Sequence, residues 1–547
     1  MPGNPDVIDE PAPTSATDRM RHPGAGVWSS VHENGLMIRQ ERLALLLIVV
    51  AAVLLRAFRL GHQSLWTDEI VSALSADGRL WWVLTQTSVN SNIPPLYYAV
   101  LHLVMSLSRQ EWVLRLPSLL SGVASVPLFF AIVREWLGSR VALVCAALVA
   151  ISPFHVWYSQ EARPYALLLF LSLLSLRLLQ LLVARPGDRW LQLGFVLSAA
   201  ATFYAHTLGL PFLAYLAVLA IRETPKERWG HWLRLFAAIG LLLIPAVYRL
   251  IVFAPSASAD ASRTFGLAFV PYAVWAFATG YSIGPTLTQL HLPSRLATTL
   301  RYWPLILPIG LIVVTLATAG AVSLWKWSRA TFWMVGLWLA FPLAFALLGT
   351  LATRHPFNVR YVILSFPAFV IVVASGVLAT RQPLWRAGAA AALLVVSALS
   401  LGNYYFVSRY FREDNRAAGH YLTANAATGD LVVADAPYTA LNLTYYARRP
   451  DLTIVGYPPQ ESPASGAAGV LRGGVTNAAT RPSMRADSLQ LQDIIGARNR
   501  VWVFLSRTYH GVPGGVVLDF CDRHFRRLRQ LETDNDILLI LYERRPG

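Results

Sequence analysis

The chain has 547 residues, of which 55% are hydrophobic and only 14% are charged, and its mean hydropathy is +0.47. Because soluble proteins carry about 25% charged residues, this composition excludes an ordinary soluble protein and predicts a membrane protein with several spans. The net charge of +16 does not require a nucleic-acid partner, since many arginines lie between apolar segments, as in polytopic membrane proteins. Cys145 and Cys521 are the only cysteines, and they predict neither a disulfide framework nor a cysteine-based metal site.

Three regions follow one another along the chain. Residues 1–40 are polar, contain no signal peptide, and predict a disordered cytoplasmic tail. In residues 41–405, apolar segments close to the ~20 residues that cross a bilayer recur, and they predict a membrane domain. We expect eleven spans, near 42–60, 112–135, 140–157, 165–184, 190–207, 208–222, 233–253, 302–324, 331–352, 360–380 and 385–405.

The basic residues between these segments predict the orientation of the chain. Arginine and lysine are concentrated in six connections, near 39–42, 134–140, 185–189, 222–234, 326–329 and 381–386. Placing these connections in the cytoplasm puts the loops at 61–111 and 158–164, and everything after residue 405, on the external face. The apolar run Pro95 to Leu107 is shorter than a span and predicts an interfacial or membrane-dipping helix; whether it crosses the membrane is left open.

Residues 406–547 predict a small external α/β domain, because charged residues, glycine and proline become frequent there. Four short runs predict strands, at Asp430–Ala434, Leu452–Val455, Val501–Leu505 and Ile537–Tyr542. Helices are predicted at Asn415–Leu422 and Tyr438–Ala447, and a mobile loop at Pro458–Pro482. No glycine-rich phosphate motif precedes these helices, so the favoured role is a structural lid or scaffold.

The first external loop contains Asp68 and Glu69 directly after the first span. Adjacent carboxylates near lipid are costly, and a catalytic role would explain them. The alternative is that they cap the helix that begins near Ile70. The same loop carries Asn92 and Tyr97; a tyrosine at this depth is also a common anchor in the interfacial aromatic belt.

The second external loop is very short and strongly polar, within Ser152–Tyr165. Its length keeps Glu161 and Arg163 near the bilayer surface. They could form a local ion pair, or Arg163 could bind a phosphate while Glu161 orients the arginine or a sugar. Two further arginines, Arg354 and Arg360, lie on the last external turn, and arginine on the external face suggests an anionic partner.

Taken together, one membrane face presents carboxylates, arginines and aromatic residues. A lipid-linked phosphosugar would need such a set: arginines for the phosphate, an apolar wall for the prenyl tail, and a carboxylate to deprotonate an acceptor hydroxyl.

Three stretches of the sequence resemble bacterial glycosyltransferase family 39: Ser64–Glu69, Asn92–Tyr98 and Ser152–Tyr165, of which the run Ser159–Tyr165 is the most distinctive. That family is grouped with the protein O-mannosyltransferases and the aminoarabinose transferases of lipid A in the GT-C superfamily. The resemblance covers residues 44–405 in layout. The sequence departs from the family pattern at Ile93, where relatives often carry a basic residue or histidine.

The resemblance implies a mainly α-helical GT-C membrane protein that transfers a hexose or pentose, with inversion, from a polyprenyl-phosphate donor to a hydroxyl. Asp68 would be the general base, with Glu69 shaping the catalytic site. The substrate-binding candidates are Glu161, Arg163, Tyr165, His155, Asn92, Tyr97, His206, Arg354, Arg360 and Tyr361. No cofactor and no metal are expected, and a divalent metal at Asp68 and Glu69 is the less favoured alternative.

The expected location is the plasma membrane, with the active site on the external face and membrane lipids and a lipid-linked sugar as partners. The residue types fit mannose, arabinose, galactose or an amino sugar, and an acceptor hydroxyl on a protein, a lipid or an envelope glycan. A transporter or flippase of lipid-linked sugars is an alternative, although its charges should lie near the bilayer midplane. A non-enzymatic envelope-assembly protein is the other alternative.

Overall fold

A computed structural model describes residues 39–90, 94–252, 269–291, 294–353, 357–435, 437–457, 484–506, 514–533 and 535–545. Most of the predicted N-terminal tail and all of the predicted loop at 458–482 lie outside these residues, as do the site candidates Asn92 and Arg354.

The first membrane helix is α1 (Arg39–Ala57). It leads into four short helices: α2 (Thr67–Ala76), α3 (Leu80–Asn90), α4 (Leu96–Met105) and α5 (Glu111–Leu114). The predicted interfacial segment is α4, whose 10 residues extend over only about 15 Å, half the thickness of a bilayer core. Leu101 and Tyr98 of α4 are buried against α2 and its neighbours, so this helix packs against the first external loop.

The central helices are α6 (Leu116–Ile151), α7 (Pro153–Ser159), α8 (Tyr165–Ala184), α9 (Arg189–Ala205), α10 (Leu210–Arg222) and α11 (Trp229–Val252). The spans expected at 112–135 and 140–157 do not have a loop between them. They form one 36-residue segment that is divided at Gly138, where φ is +79°. Glycine adopts this conformation without a steric penalty, so a single residue replaces the predicted connection.

The remaining helices of the membrane domain are α12 (Phe269–Thr279), α13 (Leu287–His291), α14 (Arg295–Arg301), α15 (Trp303–Trp327), α16 (Arg329–Thr353), α17 (Phe366–Val377) and α18 (Pro383–Phe406). A 3₁₀ segment, Val359–Ser365, precedes α17. In the part of the chain that the structure describes, seven helical segments are long and apolar enough to cross a membrane. The other predicted spans correspond to α1, which carries four charged residues, and to the shorter α9 and α10.

Arg56 fixes the passage from α6 to the second external loop. Its side chain is fully buried and donates to the carbonyl oxygens of Val149 and Ala150 at 2.9 Å, which are among the last acceptors of α6. It also contacts Ser159 Oγ at 3.3 Å and His155 Nδ1 at 2.6 Å on α7. A guanidinium that satisfies the free carbonyl groups of a helix end stabilises that end, and here it also orients α7.

The C-terminal part is an α/β domain, as predicted, and it contains a five-stranded sheet. The strands are β1 (Leu431–Ala434), β2 (Thr453–Gly456), β3 (Arg500–Ser506), β4 (Phe525–Thr533) and β5 (Ile537–Arg544), in the order β2-β1-β3-β5-β4. β2, β1 and β3 are parallel, whereas β5 and β4 are antiparallel to their neighbours. The sheet is flanked by α19 (Asn415–Asn425), α20 (Pro437–Ala447), α21 (Met484–Ile495) and α22 (Gly514–His524).

The four predicted strands and two predicted helices are confirmed, but β4 was not predicted. Its sequence, Phe-Arg-Arg-Leu-Arg-Gln-Leu-Glu-Thr, lacks a β-branched apolar face because β4 is an edge strand whose residues are mostly exposed. Charged residues on an edge strand prevent unwanted pairing with other chains.

The C-terminal domain docks directly on the first external loop. Asn442 on α20 donates to Thr67 Oγ1 at 3.0 Å, and the Ser64 hydroxyl donates to the carbonyl oxygen of Glu413 at 2.7 Å. The Tyr446 hydroxyl accepts from the backbone N–H of Leu65 at 2.7 Å. These contacts place the domain and the loop that carries Asp68 on the same side of the membrane.

Two glycines allow α15 and α17 to pack backbone to backbone. A Cβ at Gly320 would lie 1.8 Å from the Val372 carbonyl oxygen, and a Cβ at Gly376 would lie 2.0 Å from that of Leu316. Small residues allow this close approach between membrane helices, which do not gain from a hydrophobic effect in lipid.

Replacing Gly376 with alanine should therefore destabilise the protein by about 1–3 kcal/mol, because the added methyl group meets backbone that cannot move aside. The matched control is Gly336→Ala on α16, where an added Cβ meets nothing within 4 Å. Thermal unfolding of the purified variants in detergent measures the difference. Equal midpoints for the two variants would contradict the predicted packing constraint.

Candidate active site

Asp68 lies in the first turn of α2 with its carboxylate between two arginines. Arg360 Nη1 donates to Asp68 Oδ2 at 2.6 Å, and Arg163 Nη2 lies 3.7 Å from the same oxygen. The Asp68 side chain remains 23% exposed, whereas the Arg163 side chain is 8% exposed. The structure thus brings together three residues from different segments, which the sequence predicts to be external and which it had singled out separately.

Tyr165 lies between the same two arginines. The guanidinium carbons of Arg163 and Arg360 are each 5.8 Å from the centre of its ring, which is within cation–π distance. The ring of Tyr361 also lies 5.8 Å from the Arg360 guanidinium. These aromatic contacts hold the two arginines in place and leave their donors directed toward Asp68.

Glu69 has a different environment from Asp68, although the two are adjacent. Its side chain has no exposed surface, and its carboxylate accepts from Arg115 Nε at 2.9 Å and Arg115 Nη2 at 2.8 Å. Arg412 Nη1 lies 3.1 Å away, and the backbone N–H of Ala162 donates at 2.7 Å. Burial would raise the pKa of Glu69, but the charges of Arg115 and Arg412, together with these hydrogen bonds, lower it below its usual range.

The geometry therefore favours a positioning role for Glu69 over direct contact with a substrate. Its carboxylate joins α2, the start of α6, the second external loop and the segment that leads into the C-terminal domain. The sequence predicted that Glu69 shapes the site, and these contacts show how it would do so.

Glu161 is buried in the second external loop and does not pair with its neighbour Arg163. The nearest cation to Glu161 Oε2 is Arg412 Nη2, at 4.0 Å. Burial is the main cause that raises the pKa of Glu161 to about 7, and the negative charges of Glu69 and Asp68 act in the same direction, opposed by Arg412 and Arg163. A carboxyl group that titrates near neutral pH beside a cavity is typical of functional sites.

Sequence reasoning missed two arginines, Arg115 and Arg412. Both are buried, and both neutralise Glu69. Arg412 follows the last span and lies on the same face as Arg163 and Arg360, so the argument that selected those two would also have selected Arg412. Nothing in the sequence pairs either arginine with Glu69, because 46 residues separate Arg115 from it and the partner segments meet only in the fold.

A large cavity of about 1100 Å³ opens beside this cluster. Its charged and polar lining residues include Glu161, Arg360, Arg412 and, from the β4–β5 turn of the C-terminal domain, Asn535 and Asp536. Much of its apolar lining comes from α12 and α15, with Val270, Val274, Trp275, Ile306, Val313 and Val314 among these residues. The cavity thus combines charged groups with an apolar surface, and its volume is large enough for a lipid chain.

Three other predicted substrate-binding residues are engaged within the protein. His155 contacts Arg56 beneath the loop, and the hydroxyl of the buried Tyr97 lies 3.3 Å from Ser118 Oγ. His206 Nδ1 accepts from the backbone N–H of Leu208 at 3.1 Å, which caps the turn after α9, and its ring lies 5.5 Å from that of Tyr165. The contacts of these residues favour a supporting role.

The expectation that no metal is used stays a prediction. Among the residues that the structure describes, no three His, Cys, Asp or Glu side chains come together in a way that could hold a metal ion. The neighbours of Asp68 are guanidinium groups, which would repel a cation placed there.

Comparisons with known proteins agree with this architecture. Residues 92–249 match the family described as dolichyl-phosphate-mannose-protein mannosyltransferase. The crystal structure of ArnT from Cupriavidus metallidurans in the apo state has a TM-score of 0.51 at 15% identity, over 91% of this chain and 97% of that chain. The same protein bound to undecaprenyl phosphate gives a TM-score of 0.52 at 16% identity over the same shares of both chains. No curated protein matches the sequence.

The chain is a polytopic membrane protein with the fold of these two structures, which is of the GT-C type. The family model matches less than half of the chain, and it shows that this segment is similar to the protein mannosyltransferase family. The resemblance found in the sequence is thereby confirmed.

Removing the charge of Glu69 should unfold the site. Glu69→Gln leaves Arg115 and Arg412 buried without a counter-charge, and breaking a buried pair in this way costs about 3–5 kcal/mol. Asp77→Asn is the matched control, because Asp77 pairs with Arg109 at an exposed position, where a pair contributes about 0–1 kcal/mol. Thermal unfolding measures both, and a small effect of Glu69→Gln would contradict the positioning role.

The raised pKa of Glu161 predicts a pH-dependent stability. The folded state favours the neutral carboxyl group, so stability is full below the ordinary pKa of 4.5 and falls as the pH rises toward about 7. Glu161→Gln cannot ionise, so its unfolding midpoint relative to the original protein should be higher at pH 8 than at pH 5. An equal difference at both pH values would contradict this prediction.

Proposed function

We propose that the chain transfers one sugar from a polyprenyl-phosphate donor to an acceptor hydroxyl at the external face of the plasma membrane. The observation that carries the proposal is the position of Asp68 between Arg360 and Arg163, beside a cavity that Arg360 lines together with both charged and apolar residues. The description of the matching family names a dolichyl-phosphate sugar, and a structure with the same fold holds undecaprenyl phosphate, which supports the donor class.

Each part of such a donor has a matching surface. The apolar walls from α12 and α15 would hold the prenyl chain through burial of its apolar surface. Arg360 lines the cavity and would bind the phosphate, with Arg163 behind it, since guanidinium groups donate in a geometry that suits phosphate oxygens. The sugar would then lie near Asp68 and Glu161.

The proposed reaction is a single displacement at the anomeric carbon. Asp68 accepts the proton of the acceptor hydroxyl, whose oxygen forms the new bond to the anomeric carbon from the side opposite the phosphate. The bond between that carbon and the phosphate oxygen breaks, and its electron pair leaves with the polyprenyl phosphate. One attack of this kind inverts the anomeric configuration.

Arg360 has two roles in this scheme. In the absence of donor it pairs with Asp68 at 2.6 Å. A donor phosphate that enters would share the guanidinium and loosen this pair, which makes the Asp68 carboxylate more available as a base. The positive charge of Arg360 and Arg163 would also stabilise the leaving phosphate, so the proposed step uses no metal.

The C-terminal domain would close the site from the aqueous side. Asn535 and Asp536 border the cavity, and α20 contacts the segment that carries Asp68. A cover of this kind limits the access of water to the donor, which would otherwise compete with the acceptor.

The base role of Asp68 gives a direct test. Asp68→Asn removes the proton acceptor with little change in shape, so transfer should fall by roughly 100-fold or more while donor binding persists. Membranes containing the variant would be supplied with a labelled undecaprenyl-phosphate sugar, and both bound and transferred label would be measured. Arg360→Gln is the comparison variant, which should instead weaken donor binding.

Two results would overturn the proposal. Transfer at the original rate by Asp68→Asn would exclude Asp68 as the base. Modification of a cysteine placed in the Glu161 loop by a reagent that reaches only the cytoplasm would exclude the external location.

A further inference from the structure

Two buried polar atoms in the lining of the cavity face each other without completing a hydrogen bond. Glu161 Oε2 and Arg412 Nη2 are 4.0 Å apart, and neither has a hydrogen-bond partner among the described residues. Glu161 is 1% exposed and Arg412 is 7% exposed, and both line the cavity. Since an unsatisfied buried polar atom is costly, a group that bridges the two would be stabilised.

The gap between these atoms is fixed by the surroundings of Arg412. Arg412 Nη1 lies 3.1 Å from Glu69 Oε2, and the guanidinium lies 4.7 Å from the ring centre of Trp157 and 5.7 Å from that of Trp66. Arg412 is therefore held on the Glu69 side of the gap by an ion pair and two aromatic contacts. Trp66 and Trp157 also line the cavity, so the gap lies beside two indole rings.

The Glu161 carboxyl group and the Arg412 guanidinium group determine which chemical group can occupy the gap. A bridging group must accept a hydrogen bond from Arg412 and also bond to Glu161. A hydroxyl group both donates and accepts, so it fits either ionisation state of the Glu161 carboxyl group. An ammonium group only donates and would face the donors of Arg412, whereas a phosphate only accepts and would therefore fit only while Glu161 is protonated.

The gap also lies near the proposed base. Glu161 and Arg412 line the same cavity as Arg360, whose guanidinium group pairs with Asp68 at 2.6 Å. A group bound between Glu161 and Arg412 would therefore belong to the sugar whose anomeric carbon lies near Asp68.

We propose that Glu161 and Arg412 form a subsite that binds a hydroxyl group of the transferred sugar and selects a neutral sugar over one with an amino group at that position. This inference rests on the proposed function and narrows its substrate class. Arg412, on the segment that leads into the C-terminal domain, would make that segment part of sugar recognition.

The test uses the full-length protein in lipid nanodiscs and a set of synthetic donors. The donors are undecaprenyl phosphates that carry mannose or arabinose, in which each ring hydroxyl in turn is replaced by hydrogen or by an amino group. Dissociation constants are measured for the original protein, for Glu161→Leu and for Arg412→Lys. Arg412→Lys keeps a positive charge for Glu69, and Glu161→Leu leaves the Arg412–Glu69 pair intact.

The proposal expects one ring position at which either replacement weakens binding to the original protein by about tenfold, as for a hydrogen bond to a charged group. In Glu161→Leu the effect of removing that hydroxyl should shrink to about threefold or less, because its partner is gone. Arg412→Lys should show the same reduction, and if this variant does not fold, Glu161→Leu decides the question.

Three results would overturn the proposal. The first is an amino donor that binds as tightly as its hydroxyl counterpart at every position. The second is a loss of affinity in Glu161→Leu that is the same for all donors, as expected if only a water molecule occupies the gap. The third, in which no sugar donor binds more tightly than bare undecaprenyl phosphate and none is transferred, would refute the proposed function itself.

Discussion

The carboxylate of Glu69 is the point on which the arrangement of the site depends. It is fully buried, and Arg115 and Arg412 neutralise it from the start of α6 and from the segment after the last span. Burying three charges is unfavourable unless each finds its partners, so these segments must come together for the loop to fold at all. The hydrogen bond from Ala162 joins the second external loop to the same carboxylate. One side chain thus defines where four separate parts of the chain meet.

Glu69 and Asp68 divide their roles because of helix geometry. Successive residues on an α-helix point about 100° apart, so Glu69 turns into the protein while Asp68 turns toward Arg360, which lines the cavity. Both lie in the first turn of α2, where the helix dipole favours negative charge. The sequence allowed two explanations for this pair, a helix cap and a catalytic role, and the two do not exclude each other. The helix start stabilises both carboxylates, while the Asp68 side chain stays partly exposed.

The membrane helices could be predicted from the sequence because the length and polarity of a span are local properties. Gly138 was the exception, since nothing local shows that one residue can replace a loop. The aromatic and charged residues of the second external loop were found for a similar local reason. Arg412 could have been found by its position after the last span, but its pairing could not, because Glu69 and Glu161 lie more than 250 positions away in the sequence and meet it only after folding. The sequence predicted that His155 binds the substrate. Its burial against Arg56 is a property of the fold, so the sequence could not indicate its contact with that arginine.

The balance of charge at the site supports an anionic ligand. The ion pairs around Asp68 and Glu69 contain four arginines and three carboxylates, which leaves one positive charge within this network when all are ionised: Arg115, Arg163, Arg360 and Arg412 against Asp68, Glu69 and Glu161. A polyprenyl-phosphate sugar is a phosphodiester with one negative charge, which would balance the charge of this network. An uncompensated positive charge near lipid is costly, so the same imbalance that destabilises the empty site would favour the donor. A cationic sugar would restore the imbalance, and this agrees with the selection that the gap between Glu161 and Arg412 would impose.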